Sequence, residues 1–263
     1  MSVRVGMTLP TFTDSADPAL TVARLAEDAG LDGLFAFDHL WPMGAPGRPA
    51  LWSFGALAAV AAVTGRVVVG TLVARVGLLG DDDLVDAFRT LAAVAGRERV
   101  IAAFGTGDHL SAPENVAYGV PYPSVSDRLR AVERVATRAR SLGVTVWVGG
   151  TSDETGEVAG RLGVARNLWG ATAQEIERAR RGQSNVPQVT WAGQVLIGRD
   201  RSDIAELRAR HGDRPGLVSG TVEEVAAHLL GLGAEWCVVA PLDYLRQPAR
   251  AAETVCLVRE AVQ

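Results

Sequence analysis

A single (β/α)8 TIM-type barrel is the fold this sequence predicts, and three observations predict it. Eight short apolar runs, rich in β-branched residues, alternate with segments of helical periodicity along the whole chain. The chain has 263 residues, close to the roughly 250 of one such barrel. The run Leu34 to Phe37 is apolar throughout and then breaks off into Asp38 and His39. A strand buried on both faces does this where it reaches the rim of a parallel barrel on which chemistry gathers.

Taken in order, Val3 to Leu9 is the first strand. A helix follows, opened by Asp17 and Pro18, faced by Val22, Leu25, Ala26 and Ala29, and stopped by Gly30. Leu31 to Phe37 is the second strand; a loop with Pro42, Pro46 and Pro49 leads to an Ala-rich helix over Leu51 to Val63. Val67 to Val73 is the third strand, Leu84, Ala87, Phe88, Leu91 and Ala95 share one helical face, and Arg99 to Phe104 is the fourth strand. The connection Gly105 to Val125 is long for a barrel loop, which marks it as functional or mobile. A helix over Ser126 to Leu142 ends at Gly143, and Val144 to Val148 is the fifth strand. Thr151 with Glu154, Thr172 with Glu175, and Thr221 with Glu224 have capping-box spacing and set three helix starts. Val164 to Trp169, Val189 to Ile197 and Trp236 to Ala240 are the remaining strands, and Pro248 to Val262 is the closing helix. No linker divides the chain, so residues 1–263 are expected to be one domain.

Composition narrows the partners. Apolar residues make up 48% and charged residues 21%, an ordinary globular balance. A net charge of −4 gives no sign of a nucleic-acid partner. All 26 positive residues are arginine, which removes Schiff-base lysine chemistry. Cys237 and Cys256 lie in apolar runs and are expected to be reduced core residues rather than a disulfide or metal framework. The strand-like start without a leader, and the lack of any apolar stretch near the roughly 20 residues that cross a bilayer, point to a cytoplasmic protein without membrane contact.

Three strand ends carry suggestive residues. Asp38 and His39 end the second; a histidine beside a carboxylate is a proton carrier near neutral pH, although the same pair also suits a turn cap and a packed ring. Gly105, Thr106, Gly107, Asp108 and His109 end the fourth, with Glu114, Asn115 and Tyr118 soon after. The glycines there lack the third glycine and first-strand position of a dinucleotide fingerprint, and they suit close approach of a flat ring to the backbone. Gly149, Gly150, Thr151 and Ser152 end the fifth and open onto a helix start, where backbone amides and the helix dipole suit a phosphate; a plain tight turn is the competing reading. Asp38, His39, Asp108 and His109 are metal-ligating types, but neighbours on a strand end point opposite ways, so no metal is expected. No G-x-S-x-G elbow is present, and His211 and His228 sit in helical surface sequence with structural roles.

Together, AEDAGLDGLF (Ala26 to Phe35) leading into Asp38-His39, VVVGTLV (Val67 to Val73), GTGD (Gly105 to Asp108), AYGVPY (Ala117 to Tyr122) and VWVGGTS (Val146 to Ser152) resemble, in order, the luciferase-like monooxygenase superfamily, especially its coenzyme F420-dependent branch. The resemblance implies a luciferase-like barrel with a flavin or deazaflavin at the C-terminal mouth, and a non-prolyl cis peptide between Leu72 and Val73 bracing the ring. It implies that Asp38 contacts the ring system, that His39 handles a proton near the reactive carbon, and that Asp108 is a second acid. It further implies that Gly105, Thr106 and Gly107 line the ring, that Gly149, Gly150 and Thr151 hold the phosphate, and that the rims of the second to fifth strands converge on one cavity. Related sugar-phosphate dehydrogenases carry a glutamate where this chain has Asp108, and lysines on the substrate phosphate that it lacks, which argues against a phosphorylated sugar. The segment Ile197 to Thr221 has little room for a large substrate-covering insertion. The expected activity is hydride transfer between coenzyme F420 and a small organic substrate, by a homodimer. The alternatives are an FMN-dependent monooxygenase using oxygen and a separate flavin reductase, or a flavin-binding barrel without catalysis. Trp41, Trp169 and Trp191 are candidates for an aromatic wall or for packing.

Overall fold

Runs of valine, isoleucine and alanine that bury both faces must have neighbours on both edges, and here they close on themselves. The computed structural model describes residues 3–42, 44–108, 111–182 and 188–263. Its strands are β1 (Arg4–Thr8), β2 (Gly33–Ala36), β3 (Val68–Thr71), a short β4 (Ala74–Arg75), β5 (Val100–Gly105), β6 (Thr145–Gly149), β7 (Ala165–Trp169), β8 (Val189–Gly198), β9 (Val218–Thr221) and β10 (Trp236–Pro241). Its helices are α1 (Asp17–Asp28), α2 (Ser53–Ala62), α3 (Asp81–Ala95), α4 (Ala112–Ala117), α5 (Val125–Arg140), α6 (Asp153–Leu162), α7 (Ala173–Gly182), α8 (Arg201–His211), α9 (Val222–Leu232) and α10 (Pro248–Ala261). Parallel pairing runs from β1 round to β8, and β10 pairs with both β8 and β1, which closes an eight-stranded barrel. The (β/α)8 expectation therefore holds.

Side-chain alternation makes two cores. Outward-facing residues such as Val5, Met7, Leu34, Val69, Phe104 and Val239 pack beneath the helices. Phe35, Ile101, Ala103, Trp147, Ala165, Ala192, Trp236 and Val238 fill the interior. Phe35 stacks on Trp147 at 5.5 Å and meets Trp236 edge-on at 5.9 Å. Gly6, Gly33 and Gly70 leave the room: a Cβ at any of them would stand 2.8–3.0 Å from the Phe35 ring.

Four departures from the expected elements bear on the site. The third strand stops at Thr71, the Leu72–Val73 peptide is cis, and the chain resumes as β4 against β5. The long connection after β5 contains α4, too short for helical periodicity to show. Beyond β8 the chain makes a small excursion, α8 and β9, in which Val218 to Thr221 pair with Val195 to Gly198. The cap of α6 is Ser152, whose Oγ accepts from Thr155 N, rather than Thr151, whereas the Thr172/Glu175 and Thr221/Glu224 boxes form. His228 packs edge-on against Trp191. Among the described residues no three His, Cys, Asp or Glu side chains gather as a metal site, and His109 lies outside those residues. No helix among them is long and apolar enough to cross a membrane.

Candidate active site

The apolar stretch of β2 places the next residues on the C-terminal rim, and a polar network begins there. Asp38 accepts from the Ser53 hydroxyl through Oδ1 at 2.9 Å and from the Arg75 backbone N–H through Oδ2 at 3.0 Å. Burial nevertheless pushes its carboxyl above the ordinary carboxylate range, against the lowering effect of those donors and of the Arg75 and His39 charges. Next to it, His39 Nδ1 lies 3.0 Å from Glu114 Oε1. Glu114 Oε2 in turn faces Arg75 Nη2 at 2.8 Å, an ion pair rather than a well-angled hydrogen bond. The side chains of Glu114 and Arg75 are 1% and 3% exposed, so neither charge is shared with bulk water. Arg75 Nη1 donates to Ser111 O at 3.0 Å.

This network depends on how the connection after β5 is pinned. Gly107, at φ +69°, could not carry a side chain: a Cβ there would stand 2.6 Å from Arg75 Cδ. Arg128, at the first turns of α5, donates through Nε to Thr106 O at 2.8 Å, binds Pro123 O, and lies over the Tyr122 ring at 4.1 Å. Tyr122 OH donates to Asp108 O, and Asn115 Nδ2 donates to Gly77 O at 3.0 Å and Pro121 O at 2.9 Å. Those contacts set α4 so that Glu114 points inward. Tyr118 ends α4; its phenol is pushed up by burial and by the Asp38 and Glu114 charges.

Asp108, the acid expected from the resemblance, is exposed, and its Oδ1 accepts from Ser111 Oγ at 3.2 Å. The carboxylate that meets His39 is Glu114, and Asp108 instead braces the start of α4. Gly105 has a packing function as well: a Cβ on Gly105 would meet Val73 Cγ2 at 2.5 Å, and one on Gly149 would meet Val73 Cγ1 at 2.8 Å. The two glycines flank Val73, the residue after the cis bond.

At the end of β6, Gly150 donates its N–H to Asn167 O at 3.1 Å, so that amide is already used. Arg166 on β7 is 4% exposed and clamps the turn, donating through Nε to Gly150 O at 3.2 Å and through Nη2 to Ser152 O at 2.7 Å. Burial lowers its guanidinium pKa, while Asp153 opposes that shift. The turn opens on a cavity of about 650 Å³, lined among others by Thr151, Ser152, Arg166, Trp169, Glu175 and Arg178. This cavity lies over the β6 and β7 rims, and its lining does not include Asp38 or His39. Of the rims expected to converge, this cavity takes in the turn after β6, the fifth barrel strand, together with β7. Three rings form an aromatic wall from the cavity to the end of β2: Trp169, 41% exposed, meets Phe37 edge-on at 5.7 Å, and Phe37 stacks on Phe12 at 5.9 Å. Of the three tryptophans singled out, Trp169 belongs to this wall; Trp191 is buried packing, with Nε1 donating to Ala171 O at 2.9 Å.

The residues fit a planar cofactor with an anionic tail. The cavity has the size of a small-molecule site, with the hydroxyls of Thr151 and Ser152 and the guanidinium groups of Arg166 and Arg178 among carboxylates of Asp153, Glu157 and Glu175, and the exposed Trp169 ring at its edge.

No family model matches the chain. Over 130 residues it is 33% identical to the F420-dependent glucose-6-phosphate dehydrogenase of Beutenbergia cavernae; the match covers 48% of this chain and little more than a third (38%) of that relative. An F420-dependent secondary alcohol dehydrogenase, solved with an F420–acetone adduct, superposes with a TM-score of 0.75 at 16% identity, covering 98% of this chain and 99% of that one. The oxygenating constituent of 3,6-diketocamphane monooxygenase from Pseudomonas putida, a type II Baeyer–Villiger enzyme in complex with FMN, superposes with a TM-score of 0.74 at 12% identity over 99% and 98%. These likenesses establish the fold.

Proposed function

We propose, from the luciferase-like barrel that this chain forms, that it is an oxidoreductase working with coenzyme F420 on a small organic substrate. The observation that carries this reading is the buried, charge-compensated His39–Glu114–Arg75 network on the rim of a barrel whose glycine turn opens on a cofactor-sized cavity. A bound deazaflavin supplies hydride transfer to or from a substrate carbon. Thr151, Ser152 and the turn clamped by Arg166 would hold its phosphate end, and Phe37 and Trp169 would support its flat face. His39 takes or returns the proton that accompanies the change at the substrate oxygen. Burial of Glu114 and Arg75 keeps bulk water from their ion pair, while His39 stays partly exposed. The lack of lysine disfavours a phosphorylated sugar and fits an uncharged alcohol or carbonyl.

Titration with F420 and with FMN in parallel, each followed by fluorescence, tests the assignment. F420 is expected to bind at least tenfold more tightly. A preference for FMN would move the protein to the oxygen-using flavin enzymes, and binding of neither would remove the redox reading. His39→Ala should bind F420 as the parent does and lose most of its turnover, by about 10²–10⁴-fold. Undiminished turnover by that variant would exclude His39 from the chemistry.

A further inference from the structure

We propose that Glu114 and Arg75 act as a positioning pair that fixes His39 in the Nδ1–H tautomer and reserves Nε2 for proton exchange at the mouth. The proposal rests on the reading of His39 as the proton-handling residue. Its basis is the direction of a single contact. Glu114 Oε1 lies 3.0 Å from Nδ1, and a carboxylate facing an always-charged guanidinium is an acceptor, so the hydrogen between them belongs to the imidazole. The other ring nitrogen is then the one left for exchange.

Arg75 adds the second half of the device. Because Oε2 faces Arg75 at 2.8 Å while Oε1 faces the imidazole, the carboxylate is held from both oxygens and its acceptor stays aimed at Nδ1. Arg75 cannot drift to serve another acid. Its Nη1 is tied to Ser111 O, its own N–H to Asp38, and its stem passes through the space that Gly107 leaves. Among the described residues, the charged groups recorded against His39 are Glu114 from α4 and Asp38 from the same strand end, with Arg75 from β4 behind Glu114 and the Tyr118 phenol after α4 near Asp38, Arg75 and Glu114. Asp38 is already committed to Ser53 and the Arg75 amide, so Glu114 is the acid that orients the ring.

The test reads the histidine itself, without cofactor. With only four histidines, 15N-labelled imidazole spectra of the apo protein can be assigned by the signal lost in His39→Ala. The unmutated protein should show His39 as the Nδ1–H tautomer, a result that needs no variant to fold. Glu114→Leu, which removes the acceptor, should let the Nε2–H tautomer appear in those spectra. In turnover, Glu114→Gln should lower kcat by about 10–100-fold with KM little changed. An Nε2–H tautomer in the parent protein, or a tautomer unchanged in Glu114→Leu, would overturn the proposal. Failure to bind either cofactor would instead remove the functional reading and leave the spectra to decide the pairing alone.

Discussion

Asp38 occupies a place that penalises its charge, yet two donors are aimed at that charge. Burial raises its folded carboxyl above its unfolded value, so the folded state holds the proton more tightly. The associated stability is full below the ordinary carboxylate range and is lost as the pH rises through the raised folded value. Above that raised value the charge is a local liability. Asp38→Asn should accept from the Arg75 amide through Oδ1 and donate to Ser53 Oγ, which can turn to accept. We expect it to unfold at higher urea than the parent at neutral pH, with the gain vanishing as the pH falls to the ordinary carboxylate range. A variant less stable at neutral pH would mean that the two hydrogen bonds outweigh the desolvation. Site residues of this kind trade stability for chemistry, and Asp38-His39 stands out in the sequence because polar residues end an apolar strand. Glu114 does not stand out. It lies 75 residues from His39 in a segment without periodicity, and the only hint was Arg75, a charge inside the apolar run Val73 to Leu79 that had to find a buried acid.

Among elements, the three helix starts set by capping-box spacing were legible to within a residue because capping chemistry is local. The boxes at Thr172 and Thr221 form as their spacing implies, each with hydrogen bonds in both directions. At α6 two hydroxyls stand side by side, Thr151 and Ser152, and spacing to an acid favours the first whereas the backbone uses the second. The difference is measurable. Thr221→Ala, which empties the α9 cap, should cost about 1 kcal/mol in denaturant unfolding, and Thr151→Ala should cost next to nothing. Equal losses would mean that Thr151 shares the α6 cap. The short α4 was illegible for the opposite reason: its six residues are placed by Arg128, Asn115 and Tyr122 rather than by their own pattern.

For the whole molecule, closure of the barrel was legible because eight strand–helix units in this length favour a closed barrel over an open sheet. The position of the cavity was not, since it depends on how Phe37 and Trp169 meet across the mouth, a contact between residues 132 positions apart (169 less 37) that no local pattern encodes. Closure also makes a prediction about the thiols. Cys237 sits on β10, the strand that pairs with both β1 and β8, and Cys256 on α10 behind it. Burial pushes the Cys237 thiol up to about 12 and the Cys256 thiol, helped by Glu260, up to about 11. Only the thiolate attacks a disulfide reagent, so at about pH 8 the folded chain should leave both unlabelled. Exposing Cys237 requires β10 to leave both neighbours at once, which opens the barrel. Its labelling rate should therefore rise with urea along the slope of global unfolding, while Cys256, on a peripheral helix, should label at lower urea by local opening of α10. Labelling of Cys237 in native buffer at the rate of a free thiol would show that β10 detaches without global unfolding, and that the barrel closes less tightly than its register implies.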